Sequence, residues 1–249
     1  MTKKSLSTIG VLIVVLGIVY LSLPNQQEQL FHDMVVLDRH YIPVLSLTSQ
    51  GKLEQSKEAM KKLIPVWRDF EKKYRSMEKH DALWKRDMDK VNNYINSAIT
   101  IVNNGDDLND AHENLEKVRF VMMEARDRNH IDYYIDKLNR FHEPMENLVL
   151  AVKGKKADEL AEQTIVSMRS ELKTAQYLWD MVVKSPFEKK EFGFDESQAK
   201  ELARLEAEES VALVNLEEAL ASGNKPAIIQ AGRAIKSPYA KMYMMFGGL

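Results

Sequence analysis

Four stretches of this chain share one layout, and together they leave room for little except paired helices. They are "SLTSQGKLEQ" (46–55), "TIVNNGDDLND" (100–110), "LAVKGKKADEL" (150–160) and "ALASGNKPAII" (219–229). Each ends an apolar segment, supplies a glycine (Gly51, Gly105, Gly154, Gly223) and restarts with polar residues. Glycine enters the left-handed conformation that closes a helix without a Cβ penalty. Asp107 and Asn224 stand where N-caps belong, and Pro226 suits an early helical position. Past Pro24 the residues are mostly good helix formers, and no segment alternates with the two-residue period of a strand. The pattern predicts four helical hairpins, hence eight helices and an all-α fold.

The turn glycines are spaced 54, 49 and 69 residues apart. That irregularity, with helices longer than short repeats allow, favours bundles over a stacked solenoid. "DRHYIP" (38–43) aligns without gaps on "NRFHEP" (139–144), an offset of 101 residues. We read an internal duplication: two tandem four-helix units, 28–128 and 129–249. Within each unit a longer polar connection joins the hairpins, "RSMEKHDALW" and "KSPFEKKEFGFDESQ", the second with Pro186 and Gly193 as breakers.

Residues 1–24 point to a membrane. Lys3 and Lys4 precede 18 uncharged residues, Leu6–Leu23. As a helix the run spans ~27 Å, close to the ~30 Å hydrocarbon thickness of a bilayer. Glu28 and Asp33 follow it, so the positive-inside rule puts the N-terminus in the cytoplasm. Around "IVYLSLP" the small residues of a cleavage site are missing, so an uncleaved signal anchor is preferred to a signal peptide. The expectation is a single pass through the inner (cytoplasmic) membrane with the C-terminal region periplasmic or extracytoplasmic.

Composition removes several chemistries. There is no cysteine, which excludes disulfides, zinc-thiolate sites, iron–sulfur clusters and thiol nucleophiles. Charged residues make up 29 % but nearly cancel, at a net charge of -2, and that balance argues against nucleic acid as a partner. With no strands there is no strand–loop–helix phosphate site, and paired acids such as Glu208–Glu209 and Glu217–Glu218 read as solvated helix faces. No enzyme is expected.

The candidate residues lie on two helical seams. Leu108, Ala111, Leu115, Val118, Met122 and Ala125 step by three and four, with His112, Arg119 and Arg126 on one flank. Two arginines beside His112 disfavour a bound cation and suit carboxylates of a neighbouring helix or an acidic ligand. Arg126 and Arg128 also suit the helix C-terminal dipole. The second seam is Ile131, Ile135, Leu138, His142, Met145, Val149 and Val152, where His142 aligns with Tyr41 of the first half. Pro43 and Pro144 each deprive the carbonyl four residues back of its donor, which predicts a kink or break near Tyr41 and His142. The polar site is therefore His142, Tyr41, His112, Met145 and Arg119. Its bland reading is hydrogen-bond satisfaction beside a kink. Its sharper reading is a metal site from His112, His142, Met145 and Met34, holding haem b, copper or iron, with further sulfur in "KMYMMF" (241–246). Against that, no histidine follows a glutamate at the Glu-x-x-His spacing of di-iron bundles.

As exported, cysteine-free helical hairpins the chain resembles the four-helix-bundle families of the bacterial periplasm, the b-type bundle cytochromes and the periplasmic sensor bundles. The cytochrome resemblance implies a methionine on the first helix and a histidine on the last. Met34 and His112 stand in that order in the first half, while no histidine follows His142 in the second. Sensor bundles carry a second membrane helix, for which this sequence has no matching run. The function expected is a membrane-tethered, non-enzymatic binding or adaptor module without a cofactor. It would meet a protein partner in the cell envelope through an exposed apolar patch. The alternative is a periplasmic metal- or haem b-binding bundle.

Overall fold

The computed structural model describes residues 26–76 and 81–248. The apolar run that carries the membrane-anchor expectation lies outside these residues. Among the described residues no helix is long and apolar enough to cross a membrane.

The described chain is all-helical. Its helices are α1 (Gln26–Ser49), α2 (Leu53–Tyr74), α3 (Trp84–Asn104), α4 (Leu108–Arg128), α5 (Tyr134–Val152), α6 (Glu162–Val183), α7 (Glu196–Ser222), α8 (Lys225–Ala234) and α9 (Lys236–Met245), with a short 3-10 turn at Ala157–Glu159. Only Ile235 separates α8 from α9, so four hairpins account for all of them. Pro238 explains the extra boundary: it has no N–H for the Ala234 carbonyl, and the helix restarts one residue later.

The turns are built as their residues require. Gly51, Gly105, Gly154 and Gly223 all have φ between 67° and 77°. Asp107 accepts from the Asn109 amide and Asn224 from the Ala227 amide, so each caps the helix it starts. Both seams face inward. Leu108, Ala111, Leu115, Val118, Met122 and Ala125 are buried, as are Ile131, Ile135, Leu138, Met145, Val149 and Val152.

Helix α1 packs on α2 and α4, α2 on α3, and α3 on α4. In the second half α5 packs on α6, α6 on α7, and α7 on both α8 and α9, which return to α5. The halves meet where α4 contacts α5 and α9 contacts α1, and a single apolar core runs through both.

Three expectations change on inspection. Of the kink or break expected at Pro43 and Pro144 no break forms, since both helices continue through their prolines. The carbonyl that Pro43 frees, that of Arg39, accepts instead from the Gly248 amide at 2.8 Å. The connection after α6 is polar only in its charged residues. Phe192 and Phe194 are buried, and with Phe187 they pack edge-on or tilted against Tyr134 and Phe246. Glu209 is not on a solvated face. It is fully buried and continues the seam Leu202, Leu205, Ala212 and Leu216, which its spacing from them dictates.

Candidate functional site

Helices α1, α4, α5 and α9 wall a half-open cavity of about 470 Å³ where the two halves meet. Four of the five polar-site candidates line it: His112 and Arg119 from α4, His142 and Met145 from α5. Helix periodicity places them there. His112 and Arg119 are seven residues apart and share a flank, while His142 and Met145 are neighbours on the α5 seam.

A chain of polar contacts crosses the cavity wall. His112 Nδ1 lies 3.0 Å from the Leu45 carbonyl oxygen, so this nitrogen carries the proton and donates. Its Nε2 is 3.6 Å from Glu116 Oε1. The other oxygen of Glu116 pairs with Arg119 Nη2, and that same Nη2 reaches His142 Nδ1 at 2.9 Å. A guanidinium only donates, so His142 Nδ1 accepts and the ring proton sits on Nε2. Burial, then the charges of Arg119, Lys236 and His112, pull the His142 pKa down to about 2. The imidazole is therefore neutral wherever the protein works.

Arg119 is buried, with its guanidinium 5.3 Å from the Phe120 ring centre and 5.9 Å from that of Tyr243. Its Nε and the hydroxyl of Tyr239 are buried without a hydrogen-bond partner among the described residues. The Tyr239 ring packs against His142 at 5.4 Å between centroids. At the rim Lys236 pairs with both oxygens of Glu146 at 3.0 Å.

The remaining candidates lie elsewhere. Tyr41 sits behind the cavity, where its hydroxyl donates to the Leu115 carbonyl at 2.5 Å and is satisfied. Tyr41 and Met34 border a much smaller void with Asp38, Arg119, Arg126 and Tyr243. Met34 and His112 do not converge. His112 docks at Leu45, eleven residues along α1 from Met34, which is ~16 Å of helix rise. Ligand bonds of ~2.0–2.3 Å cannot bridge that span, so the methionine–histidine pair of the cytochrome resemblance is not assembled. Among the described residues no three histidine or acidic side chains are grouped to hold a metal ion.

The arginine stripe divides by partner. Arg126, in the last turn of α4, is buried. It pairs with Asp136 of α5 through Nε at 2.7 Å and Nη2 at 2.5 Å, and lies 4.6 Å from the Tyr133 ring centre. The Tyr133 hydroxyl donates to Asp38 Oδ2 at 2.7 Å. The neighbouring-helix carboxylate expected from the sequence thus exists for Arg126, whereas Arg119 takes Glu116 from its own helix. Arg128 pairs with Asp81 and Asp87.

Sequence reasoning missed Glu116, Tyr239, Tyr243 and Lys236. Glu116 had a signal, three residues before Arg119 and four after His112, which is ion-pair spacing on a helix. The tyrosines had a weaker one, since "KMYMMF" stood out for its methionines. A second groove, about 520 Å³ between α1 and α2, is lined by exposed charged side chains such as Lys52, Glu58 and Lys62, with Glu58 paired to Lys61. No family model, curated protein or solved structure matches the chain.

Proposed function

We propose that the protein is a membrane-tethered, non-enzymatic binding module. Its bundles stand outside the cytoplasm, and its binding site is the cavity around Arg119 and His142. The observation that carries this reading is the cavity itself. Side chains from both halves form it, its volume falls in the ~300–1,000 Å³ range of small-molecule sites, and polar groups converge on an otherwise apolar wall. The tether rests on the Leu6–Leu23 run behind Lys3 and Lys4. Helix packing that groups α1–α4 and α5–α9 supports two four-helix units, 28–128 and 129–249, and the match of 38–43 with 139–144 supports their descent from one duplicated unit. A protein partner in the envelope fits the exposed apolar side chains Val166, Tyr177, Met181 and Val183 on α6 and Val211 and Val214 on α7, two helices that pack together.

One observation favours the rival carrier of metal or haem b: His112, His142 and Met145 line a single cavity. It ranks second because Nδ1 of His142 is taken by a guanidinium and His112 Nδ1 by a carbonyl. The test uses the full chain extracted from membranes. Protease digestion of spheroplasts should reach the C-terminal region. Native mass spectrometry should find a small organic molecule that the mouth-blocking variant Ala240→Trp lacks. A Soret band or stoichiometric metal that disappears in His142→Ala would falsify this reading in favour of the carrier, and a protected C-terminal region would remove the tether.

A further inference from the structure

The chemistry of the cavity wall restricts what it can hold. Because Arg119 occupies Nδ1 of His142, the ring offers Nε2–H, a donor and not a lone pair. Arg119 Nε and the Tyr239 hydroxyl also lack a described partner, but both atoms are closed off behind the wall and leave the contact to the imidazole. The Nε2–H of His142 has no hydrogen-bond partner among the described residues, so the wall lacks an acceptor that an occupant would bring. The charges say what kind. Arg119 is matched by Glu116 and Lys236 by Glu146, and Glu143 adds a third carboxylate. Arg119 and Lys236 are thus each matched, and no unpaired permanent cation is left on the wall for an anion. Apart from Ser46, Ser49, Asn147 and the two histidines, the rest of the wall is apolar or aromatic, including Leu45, Phe120, Met145 and Met244.

The geometry points to a neutral molecule bearing a hydrogen-bond-accepting carbonyl on an apolar or aromatic body, its oxygen on the Nε2–H of His142 and its body against Phe120, Met145 and Met244. This rests on the cavity being the binding site, and it revises the acidic ligand that the arginine stripe alone had suggested. Arg119 acts as a positioning residue: it fixes the tautomer of His142 and leaves the contact to the imidazole.

Matched probes test the charge class. Equilibrium dialysis of the full chain in detergent is run with 1-naphthamide and 1-naphthoate, two molecules of nearly the same shape. Binding of 1-naphthamide should exceed that of 1-naphthoate by tenfold or more. His142→Leu should weaken it by about tenfold, the scale of one hydrogen bond. His142→Gln should retain most of it, because a glutamine amide can both accept from Arg119 and donate to the probe. Ala240→Trp, at the exposed mouth, should abolish it without loss of helicity by circular dichroism. Tighter binding of 1-naphthoate, still blocked by Ala240→Trp, overturns the neutral ligand while the cavity stays the binding site. Equal 1-naphthamide binding in His142→Leu overturns the role of the imidazole. Uptake of neither probe beyond that of Ala240→Trp overturns this inference and, if Ala240→Trp also co-purifies with the same molecules as the natural chain, the cavity reading with it.

Discussion

His142 and Glu209 are two titratable side chains that the fold holds neutral, and they act on stability in opposite directions. Burial and the nearby Arg119, Lys236 and His112 lower His142 from 6.5 to about 2. The unfolded chain therefore binds a proton that the native chain refuses, and stability is lost as pH falls below 6.5. Burial raises Glu209 from 4.5 to about 8, against the smaller lowering pull of the Tyr239 backbone amide. Here the native chain keeps the proton, so its contribution is complete below pH 4.5 and is lost as pH rises through 8. Between pH 5 and 8 this single group should cost on the order of 3 kcal/mol. Urea denaturation across that window checks it: Glu209→Gln should flatten most of the alkaline decline, and an unchanged slope would mean the carboxyl is solvated. His142→Gln should in turn remove a loss of about 1.4 kcal/mol per pH unit on the acid side.

At the level of the element, the proline in α1 is a docking device. Pro43 has no N–H to give the Arg39 carbonyl, which accepts instead from the Gly248 amide at 2.8 Å. The close seat needs small residues. A Cβ on Gly247 would stand 3.2 Å from Ile42 Cγ2 and 3.3 Å from Pro43 Cδ, and one on Gly248 3.2 Å from the Arg39 oxygen. Pro43→Ala should return the Arg39 carbonyl to the helix ladder and raise hydrogen exchange at the Gly248 amide. The same arginine binds the connection before α7, where its Nη2 donates to the Phe192 carbonyl at 2.7 Å. Gly193, next in sequence, has φ 67°, and an added Cβ would fall 2.3 Å from that Nη2. Gly193→Ala should cost roughly 1–3 kcal/mol in thermal or chemical denaturation, from left-handed strain plus the displaced guanidinium. These elements also mark the limit of sequence reading. The four turn glycines, the caps and the two seams were legible because each obeys a local period or a local backbone demand. The destination of the Arg39 carbonyl and the burial of the 187–194 phenylalanines were not, because their partners lie more than fifty residues away in the chain. The site was legible on α4 and α5, where His112, Arg119, His142 and Met145 fall at helical spacing. Its α9 wall was not, because nothing local says where the last helix returns.

Across the whole molecule, the two halves are joined by side chains that neither half could satisfy alone. Arg126 on α4 is buried with its charge met by Asp136 on α5, its face covered by Tyr133, and Tyr133 in turn holding Asp38 on α1. Burial raises Asp38 to about 6 against the pull of Arg126 and the Tyr133 hydroxyl. One guanidinium thus serves two carboxyl groups, and its strong bidentate bond goes to Asp136. Because the apolar core is continuous through this junction, the described chain should unfold in one cooperative step. Asp136→Asn tests the junction. It leaves Arg126 buried without its charged partner, a loss of roughly 3–5 kcal/mol when one member of a buried pair is removed. The damage should concentrate at the α4–α5 boundary, so hydrogen exchange should rise there before it rises in α2 or α7, and denaturation should broaden or split into two transitions. Ligand binding should weaken in the same variant, since the cavity takes one wall from each half. A single sharp transition with unchanged exchange at α4–α5 would mean that the apolar core alone holds the halves together.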